Sequence, residues 1–267
     1  MYSLSPQPTL ENYHPVFPKP KQKPLNAGEL SLKLLLVVST VFINTRSMAR
    51  IVHTPLFLTL LGGGPTHFSH VNQSLTKAPI LVCADGGADA AVAAGLTPDA
   101  VIGDLDSLSA ATRAALPADR VYHIAEQDST DFEKCLREID APALRAHGFL
   151  GGRLDHELAA LNALVRAPDQ LCILIGAQDI CFLAPTPLNL ELPRGTRLSL
   201  FPMGEVMGTS TGLRYPIDGL RFAPSHTIGT SNEVTGPVSI ALSARQMIVI
   251  LPLEALETVW AQLTADL

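Results

Sequence analysis

At 267 residues, with 47% hydrophobic and 16% charged side chains, the chain can bury a sizeable core and has room for two modest domains. Its formal net charge of -6, without Lys/Arg runs among aromatic residues, argues against a nucleic-acid partner. The four cysteines lack the paired spacing of a metal site and are expected to be small, reduced residues of the core.

The N-terminal segment 1–50 differs in composition from the rest of the chain. It is rich in proline between Pro6 and Pro24 and cannot build a core, so we predict a disordered or misassigned extension. The apolar run 34–43 has the length of a signal-peptide core and is too short for a membrane span, so a secretory signal and a short anchor are the alternatives. We favour a natural start at Met48, and a chain that begins there is expected to keep full activity and its melting temperature.

Two glycine turns follow the first apolar runs. The run 56–61 ends in the glycines of 62–65, which form either a loop for a nucleotide phosphate or a tight turn, and match neither a dinucleotide fingerprint nor a P-loop. The predicted strand Ile80–Ala84 leads into the turn 85–88 and an alanine-rich helical segment. There the backbone could approach an anion and Asp85 could meet a ribose hydroxyl or a metal-bound water; a plain turn is the alternative.

The most informative segment is 103–107, which reads Gly-Asp-Leu-Asp-Ser and follows the apolar run 100–102. Residues i and i+2 of a strand point to the same side, so Asp104 and Asp106 could share one divalent cation. Mg²⁺ takes only one or two protein carboxylates and fills its octahedron with water and phosphates, so the pair indicates phosphoryl chemistry. A solvated loop or a helix cap is the alternative.

The next junction carries polar side chains before a predicted helix. Thr130 and Glu133 have the spacing of a capping box, so the helix is predicted to begin at Thr130 and to hold Asp131 in its first turn. Asp128 lies just before it, where complementing the helix dipole could alone explain a carboxylate.

A fourth junction, 147–152, leads into Arg153 and His156, which lie one turn apart at the start of another helix. They could hold phosphate, or merely cap and solvate that turn. The apolar stripe of this helix is predicted to comprise Leu154, Leu158, Leu161 and Val165. Because strands of an open α/β sheet form the ligand crevice at their carboxyl ends, the polar residues of these junctions are predicted to converge.

In chain order, the segments 84–88, 103–107, 128–134, 151–156 and 231–233 resemble the motifs of the thiamine pyrophosphokinase family. The resemblance implies an α/β domain that binds ATP and Mg²⁺, a C-terminal β-sandwich, and a homodimer with thiamine at the subunit boundary. It also implies that the thiamine hydroxyl attacks the β-phosphorus of ATP and gives thiamine diphosphate and AMP without a covalent intermediate. Such an enzyme has no obvious use for export, so we expect a cytoplasmic protein without a membrane partner.

The resemblance also implies roles for individual residues. The predicted Mg²⁺ ligands are Asp104, Asp106 and Asp131, and Asp128 completes the predicted catalytic set. The predicted ATP-binding residues are Asp85, Gly86, Gly87, Gln127, Thr130, Arg153, Asp155 and His156. The predicted thiamine-binding residues are Tyr215, Ser231 and Asn232. Many family members carry tryptophan at the position of Tyr215.

The pattern changes near Ala184, which we take as the boundary between an α/β domain at 51–184, with a mainly parallel sheet, and an all-β domain at 185–267. Beyond it, short extended runs alternate with Gly and Pro, and no long helical stripe is evident. The runs predicted as strands are 188–192, 197–201, 212–217, 238–242 and 247–251.

Two other functions are compatible with these residues. A Mg²⁺-dependent phosphohydrolase, or a phosphotransferase for another small substrate, would use the same Asp-x-Asp pair. A non-catalytic nucleotide or thiamine sensor would keep the fold, although the intact acidic set counts against it.

Overall fold

The computed structural model describes residues 50–267, which form one compact unit. The predictions for the proline-rich extension, the run 34–43 and the start at Met48 lie outside the described residues. Within the described part, no helix combines the length and the apolar character needed to cross a membrane.

The strands and helices alternate up to residue 175 and are mainly strands thereafter. The strands are β1 (Val52–His53), β2 (Leu58–Leu61), β3 (Ile80–Ala84), β4 (Ala100–Gly103), β5 (Val121–His123), β6 (Ile139–Asp140), β7 (Ala143–His147), β8 (Leu171–Ile175), β9 (Asp179–Leu183), β10 (Leu188–Leu190), β11 (Arg197–Pro202), β12 (Val206–Leu213), β13 (Arg221–Phe222), β14 (Thr230–Leu242) and β15 (Met247–Pro252). The α-helices are α1 (Phe68–Leu75), α2 (Gly87–Ala93), α3 (Ala110–Ala115), α4 (Asp131–Glu138), α5 (Leu154–Arg166) and α6 (Leu256–Leu263).

The N-terminal part of the main sheet is parallel, which confirms the predicted α/β organisation. Its strands run in the order β8-β7-β2-β3-β4-β5, and each neighbouring pair is parallel. The chain moves from β2 outward to β5 and then returns to the other side of β2 through β7 and β8. The order therefore reverses between β2 and β7, and open α/β sheets bind ligands at such a switch point, outside the carboxyl ends of the strands.

The C-terminal part is β-rich and antiparallel, and it continues the same sheet. Strand β9 pairs with β8 on one side and with β15 on the other, after which β11, β14, β12 and β13 follow. Strand β10 lies off this path and pairs with the second half of β14. The burial of β11 alternates with a period of two, as expected for strands with one buried face.

The predicted strands 188–192, 197–201 and 247–251 correspond to β10, β11 and β15, but two others need correction. The run predicted at 212–217 is a strand only up to Leu213, because the actual strand is β12. Strand β14 is 13 residues long, although only 238–242 was predicted. Its first half contains a Ser-Asn pair and a Gly-Pro pair that are typical of turns, and pairing with β11 and β12 supplies the backbone hydrogen bonds that override these preferences.

The C-terminal segment is also not purely β, because it ends in helix α6. This helix buries Leu256, Val259 and Trp260, a spacing of three and four residues that predicts a helix. The apolar stripe of this helix is short, and the helix was therefore not predicted from the sequence.

The predicted apolar stripe of α5 is wrong in its first half. Leu154 and Leu158 are 69% and 52% exposed, whereas the buried positions are Ala160, Ala163 and Leu164. Small alanine side chains permit close packing of the helix on its neighbours, so the buried face is rotated towards them. Two exposed leucines remain on the surface.

Strand β7 carries two buried polar side chains on the same face, Arg145 and His147. Arg145 is fully buried and donates two hydrogen bonds to the Glu257 carboxylate of α6, at 2.8 and 2.9 Å. Its guanidinium also stacks over the Trp260 ring, 4.4 Å from the centroid. These contacts fasten the C-terminal helix to the central sheet.

His147 predicts a loss of stability in mild acid. It is 2% exposed, its Nε2 lies 2.9 Å from the Ser74 hydroxyl, and burial lowers its pKa to about 3. The unfolded chain then binds a proton below pH ~6.5 that the folded chain does not, so stability falls as pH drops through that value. We expect a loss of about 2 kcal/mol between pH 7 and pH 5, measured by urea denaturation. The variant His147→Gln should lose this pH dependence of its stability. If its stability still falls between pH 7 and pH 5 as in the unmodified protein, His147 is not the cause.

Candidate functional site at the switch point of the sheet

A cleft of about 600 Å³ opens at the switch point between β2 and β7. It is lined by the loops that follow β2, β3, β4 and β7 and by the first turns of α4 and α5. Its lining residues are Gly62, Gly63, Gly64, Pro65, Ala84, Asp85, Gly86, Asp104, Ser107, Ser129, Thr130, Asp131, Phe132, Lys134, Gly148, Phe149, Leu150, Gly152, Arg153, His156, Glu157 and Ala160. The structure therefore brings together polar residues from all the predicted junctions.

An acidic cluster, which we define as Asp85, Asp104 and Asp106, lies at the cleft. Asp85 and Asp104 line the cleft, whereas Asp106 is exposed and lies outside the lining. One carboxylate oxygen from each lies within 4.8 Å of the others. The turns that follow β3 and β4 each contain a residue in the left-handed conformation, with φ of 39° at Asp85 and 62° at Leu105. Such conformations are costly for residues other than glycine and commonly mark functional sites.

Asp85 is the most deeply buried member of the acidic cluster, at 4% exposure. Its Oδ2 accepts a hydrogen bond from the Ser107 amide at 3.1 Å, while its buried Oδ1 has no hydrogen-bond partner among the described residues. Burial raises the pKa of Asp85, against the Ser107 hydrogen bond, and the nearby charge of Asp131 adds to the rise. A buried carboxylate oxygen without a partner is costly, and a bound cation would satisfy it.

Two glycines permit the close packing around the acidic cluster. A Cβ on Gly103 would lie 2.8 Å from the Asp85 Cβ and 3.1 Å from an Asp131 oxygen. A Cβ on Gly87 would lie 2.2 Å from the Leu61 carbonyl oxygen at the end of β2. Packing alone therefore requires glycine at position 87, whether or not a phosphate binds there.

Helix α4 begins as predicted, with Thr130 as its N-cap. The Thr130 hydroxyl accepts a hydrogen bond from the Glu133 amide, and the Glu133 carboxylate accepts one from the Thr130 amide, which confirms the capping box. The cap places Asp131 at the cleft, where its Oδ1 accepts a hydrogen bond from the Lys134 ammonium at 3.0 Å. Sequence reasoning gave Lys134 no role, although its position one turn after Asp131 predicts such a contact.

The two predicted residues in the loop before α4, Gln127 and Asp128, differ in their contacts. Gln127 Nε2 donates a hydrogen bond to Asp104 Oδ2 at 2.9 Å, so it contacts the acidic cluster. Asp128 is exposed and lies outside the lining of the cleft. Its amide donates to Glu126, which holds the loop before α4.

Arg153 and His156 lie at the mouth of the cleft, at the start of α5. The exposed Arg153 guanidinium donates two hydrogen bonds to Asp155, at 3.1 and 2.6 Å. These hydrogen bonds lower the pKa of Asp155 to about 2. Asp155 itself lies outside the lining and pairs with Arg153, which lines the cleft.

The residues predicted to bind thiamine lie in the β-rich region and not in the lining of this cleft. Tyr215 is 56% exposed and Ser231 is exposed, whereas Asn232 is 3% exposed. The Asn232 side chain accepts a hydrogen bond from the Tyr215 amide at 3.0 Å and donates one to the Tyr215 carbonyl at 2.6 Å. Asn232 therefore fixes the backbone of Tyr215.

A switch-point cleft with clustered carboxylates and an arginine is typical of an α/β protein of the nucleotide-binding class. Residues 71–175 match the family described as thiamin pyrophosphokinase, catalytic domain, and residues 187–247 match thiamin pyrophosphokinase, vitamin B1 binding domain. The chain belongs to the thiamine pyrophosphokinase family.

Relatives and solved structures agree with this assignment. Thiamine pyrophosphokinase 1 of Oryza sativa subsp. japonica is 31% identical over 206 residues, covering 61% of this chain and 78% of the relative. Thiamin pyrophosphokinase 1 of Caenorhabditis elegans is 28% identical, with 73% and 88% covered. The fold matches the crystal structure of thiamin pyrophosphokinase from Geobacillus thermodenitrificans with a TM-score of 0.61, 24% identity and coverage of 74% and 97%.

Proposed function

We propose that this chain transfers a pyrophosphoryl group from ATP to the hydroxyl of thiamine, giving thiamine diphosphate and AMP. One observation carries the proposal: in a member of this family, Asp85 and Asp104 of the acidic cluster line the switch-point cleft. Phosphoryl chemistry depends mainly on positioning and charge neutralisation, and a cleft of carboxylates with Arg153 at its mouth is suited to both.

We also propose that Mg²⁺ binds at the acidic cluster. The donor set fits, because Mg²⁺ prefers carboxylate oxygens and the buried Asp85 Oδ1 has no partner among the described residues. Asp104 and Asp106 would hold the ion, as predicted, with Asp85 as an additional ligand. Asp131, also a predicted ligand, accepts a hydrogen bond from Lys134. The bound ion would neutralise the phosphate charge.

The side chains of this chain would orient the two substrates. The thiamine hydroxyl oxygen attacks the β-phosphorus in line with the bond to the α-phosphate oxygen, which breaks and leaves AMP. Arg153 can bind a phosphate when it exchanges its Asp155 partner for a phosphate oxygen, because both anions accept the same pair of donors. Asp128, exposed beside the cleft, would orient the substrate, and an aspartate of the site would accept the hydroxyl proton.

An assay with ATP, Mg²⁺ and thiamine, analysed for AMP and thiamine diphosphate, tests the reaction. AMP release that requires thiamine, in equal amounts with thiamine diphosphate, is the expected result. Nucleotide hydrolysis without thiamine would favour a phosphohydrolase, and binding of either substrate without product would favour a sensor.

The thiamine site is proposed around Tyr215, whose exposed ring can stack on a flat cationic ligand. We expect Tyr215→Ala to raise the thiamine KM by about tenfold and to leave the ATP KM within about twofold, because stacking is lost on one substrate only. Asn232→Ala should act in the same direction, because it releases the Tyr215 backbone. Steady-state kinetics with each substrate varied in turn decides between these outcomes; equal effects on both KM values would place the thiamine site elsewhere.

We propose further that the chain is a homodimer in which the thiamine contacts of one subunit face the acidic cluster of the other. Tyr215 lies outside the lining of the cleft, while Leu154 and Leu158 are exposed beside it on α5. Exposed leucines next to a functional cleft are suited to a subunit contact. Light scattering with size-exclusion chromatography should give a dimer, and Leu158→Lys should give an inactive monomer.

We also propose a β-sandwich, a domain boundary near Ala184 and a cytoplasmic location. One hydrophobic core contains inward residues of β10, β11, β12 and β15 together with Ile240 of β14, which supports two packed layers of strands. All four cysteines are free and buried, as expected in a reducing compartment.

A further inference from the structure

The strongest unexplained feature of the cleft is the buried ammonium of Lys134. Its side chain is 1% exposed, and Nζ lies 3.0 Å from Asp131 Oδ1 and 3.3 Å from Asp104 Oδ2. A buried ammonium is costly unless carboxylates pair with it, and Asp131 and Asp104 both accept hydrogen bonds from Nζ. Lys134 is therefore a fixed positive charge inside an acidic site.

Asp104 divides the cleft into two halves. Its Oδ2 accepts hydrogen bonds from both Lys134 and Gln127, at 3.3 and 2.9 Å. Its Oδ1 accepts only a long contact of 3.4 Å, from the Asp106 amide, within the described part of the chain. One half, between Asp104 and Asp131, thus holds the ammonium. The other half, the acidic cluster, contains Asp85 Oδ1, which has no hydrogen-bond partner among residues 50–267.

This arrangement resembles a phosphoryl-transfer site that holds two cations on a shared carboxylate. Such sites hold two metal ions about 3.5–4 Å apart, and here Asp104 would be the shared carboxylate between two cation positions. We propose that the Lys134 ammonium occupies the second position permanently, so that the protein itself supplies one of the two positive charges and binds a single divalent ion in the absence of nucleotide.

The inference rests on the proposed magnesium site, and it is tested without ATP or thiamine. The full chain is titrated with Mn²⁺, free Mn²⁺ is followed by electron paramagnetic resonance, and Mg²⁺ is added as competitor. The protein should bind one Mn²⁺ that Mg²⁺ displaces, whereas Asp104→Asn should bind none with comparable affinity. Two tight ions on the unmodified protein, or none, would overturn the proposal, even if the transfer reaction itself is demonstrated.

Substitution of Lys134 is expected to create the second ion site. Lys134→Gln should bind two Mn²⁺, Lys134→Arg should still bind one, and Lys134→Gln combined with Asp131→Asn should return to one. A purely structural role would leave the ion count of Lys134→Gln at one, which would overturn the proposal.

Asp131→Asn alone gives an independent result if Lys134→Gln does not fold. Because Asp131 belongs to the ammonium half, this variant should keep its single Mn²⁺ with an affinity within about threefold of the unmodified protein. Loss of that ion would make Asp131 a ligand of the first metal position and would overturn the separation into two halves.

Discussion

Asp104→Asn should lower the rate of thiamine-dependent AMP formation by about a hundredfold or more while the protein stays folded. Asp104 contributes to both halves of the cleft, so neutralising it weakens the cation at the acidic cluster and removes one of the two partners of Lys134. Asparagine has the same shape and keeps one oxygen acceptor, and Lys134 retains Asp131, so thermal melting should change little.

Asp119→Asn is a matched control for this substitution, because Asp119 is an exposed carboxylate outside the cleft. It should keep both activity and melting temperature. Asp131→Asn should also lose most of its turnover, through release of Lys134. Near-normal activity of Asp104→Asn in a folded protein would remove the acidic cluster from the mechanism.

Local sequence signals were sufficient wherever the cause of a structure is itself local. The Thr130 and Glu133 pair predicted the start of α4 because both partners of the capping box lie within one turn. The convergence of Asp85, Asp104 and Asp131 is not local, but the alternation of strands and helices was enough to predict it, because the carboxyl ends of parallel strands share one edge of the sheet.

The features that were missed depend on contacts between distant parts of the chain. Lys134 reaches Asp104 across 30 positions of sequence, and Asn232 reaches Tyr215 across 17. The first half of β14 has the composition of a turn, and only its pairing with β11 makes it a strand. Which leucines of α5 are buried depends on how that helix lies against its neighbours, and its own periodicity does not contain this information.

The largest effect on stability is expected from Glu257, at the contact between α6 and the central sheet. Glu257→Ala leaves the fully buried Arg145 guanidinium without its carboxylate partner, while the Trp260 ring still lies beside it. Loss of one partner of a buried ion pair typically costs 3–5 kcal/mol. Because the Glu257 side chain is 41% exposed and partly solvated, we expect a loss of about 3 kcal/mol in the free energy of unfolding, measured with urea.

Two further variants test whether the loss of stability comes from the unpaired charge of Arg145 or from helix α6 itself. Glu254→Ala, an exposed residue just before α6, should change the unfolding free energy by less than about 0.5 kcal/mol. In an Arg145→Met background, Glu257→Ala should cost at most about 1 kcal/mol, because no buried charge is left without a partner. If Glu257→Ala costs as much in that background as in the unmodified protein, its effect comes from α6 itself, and the ion pair does not fasten this helix to β7.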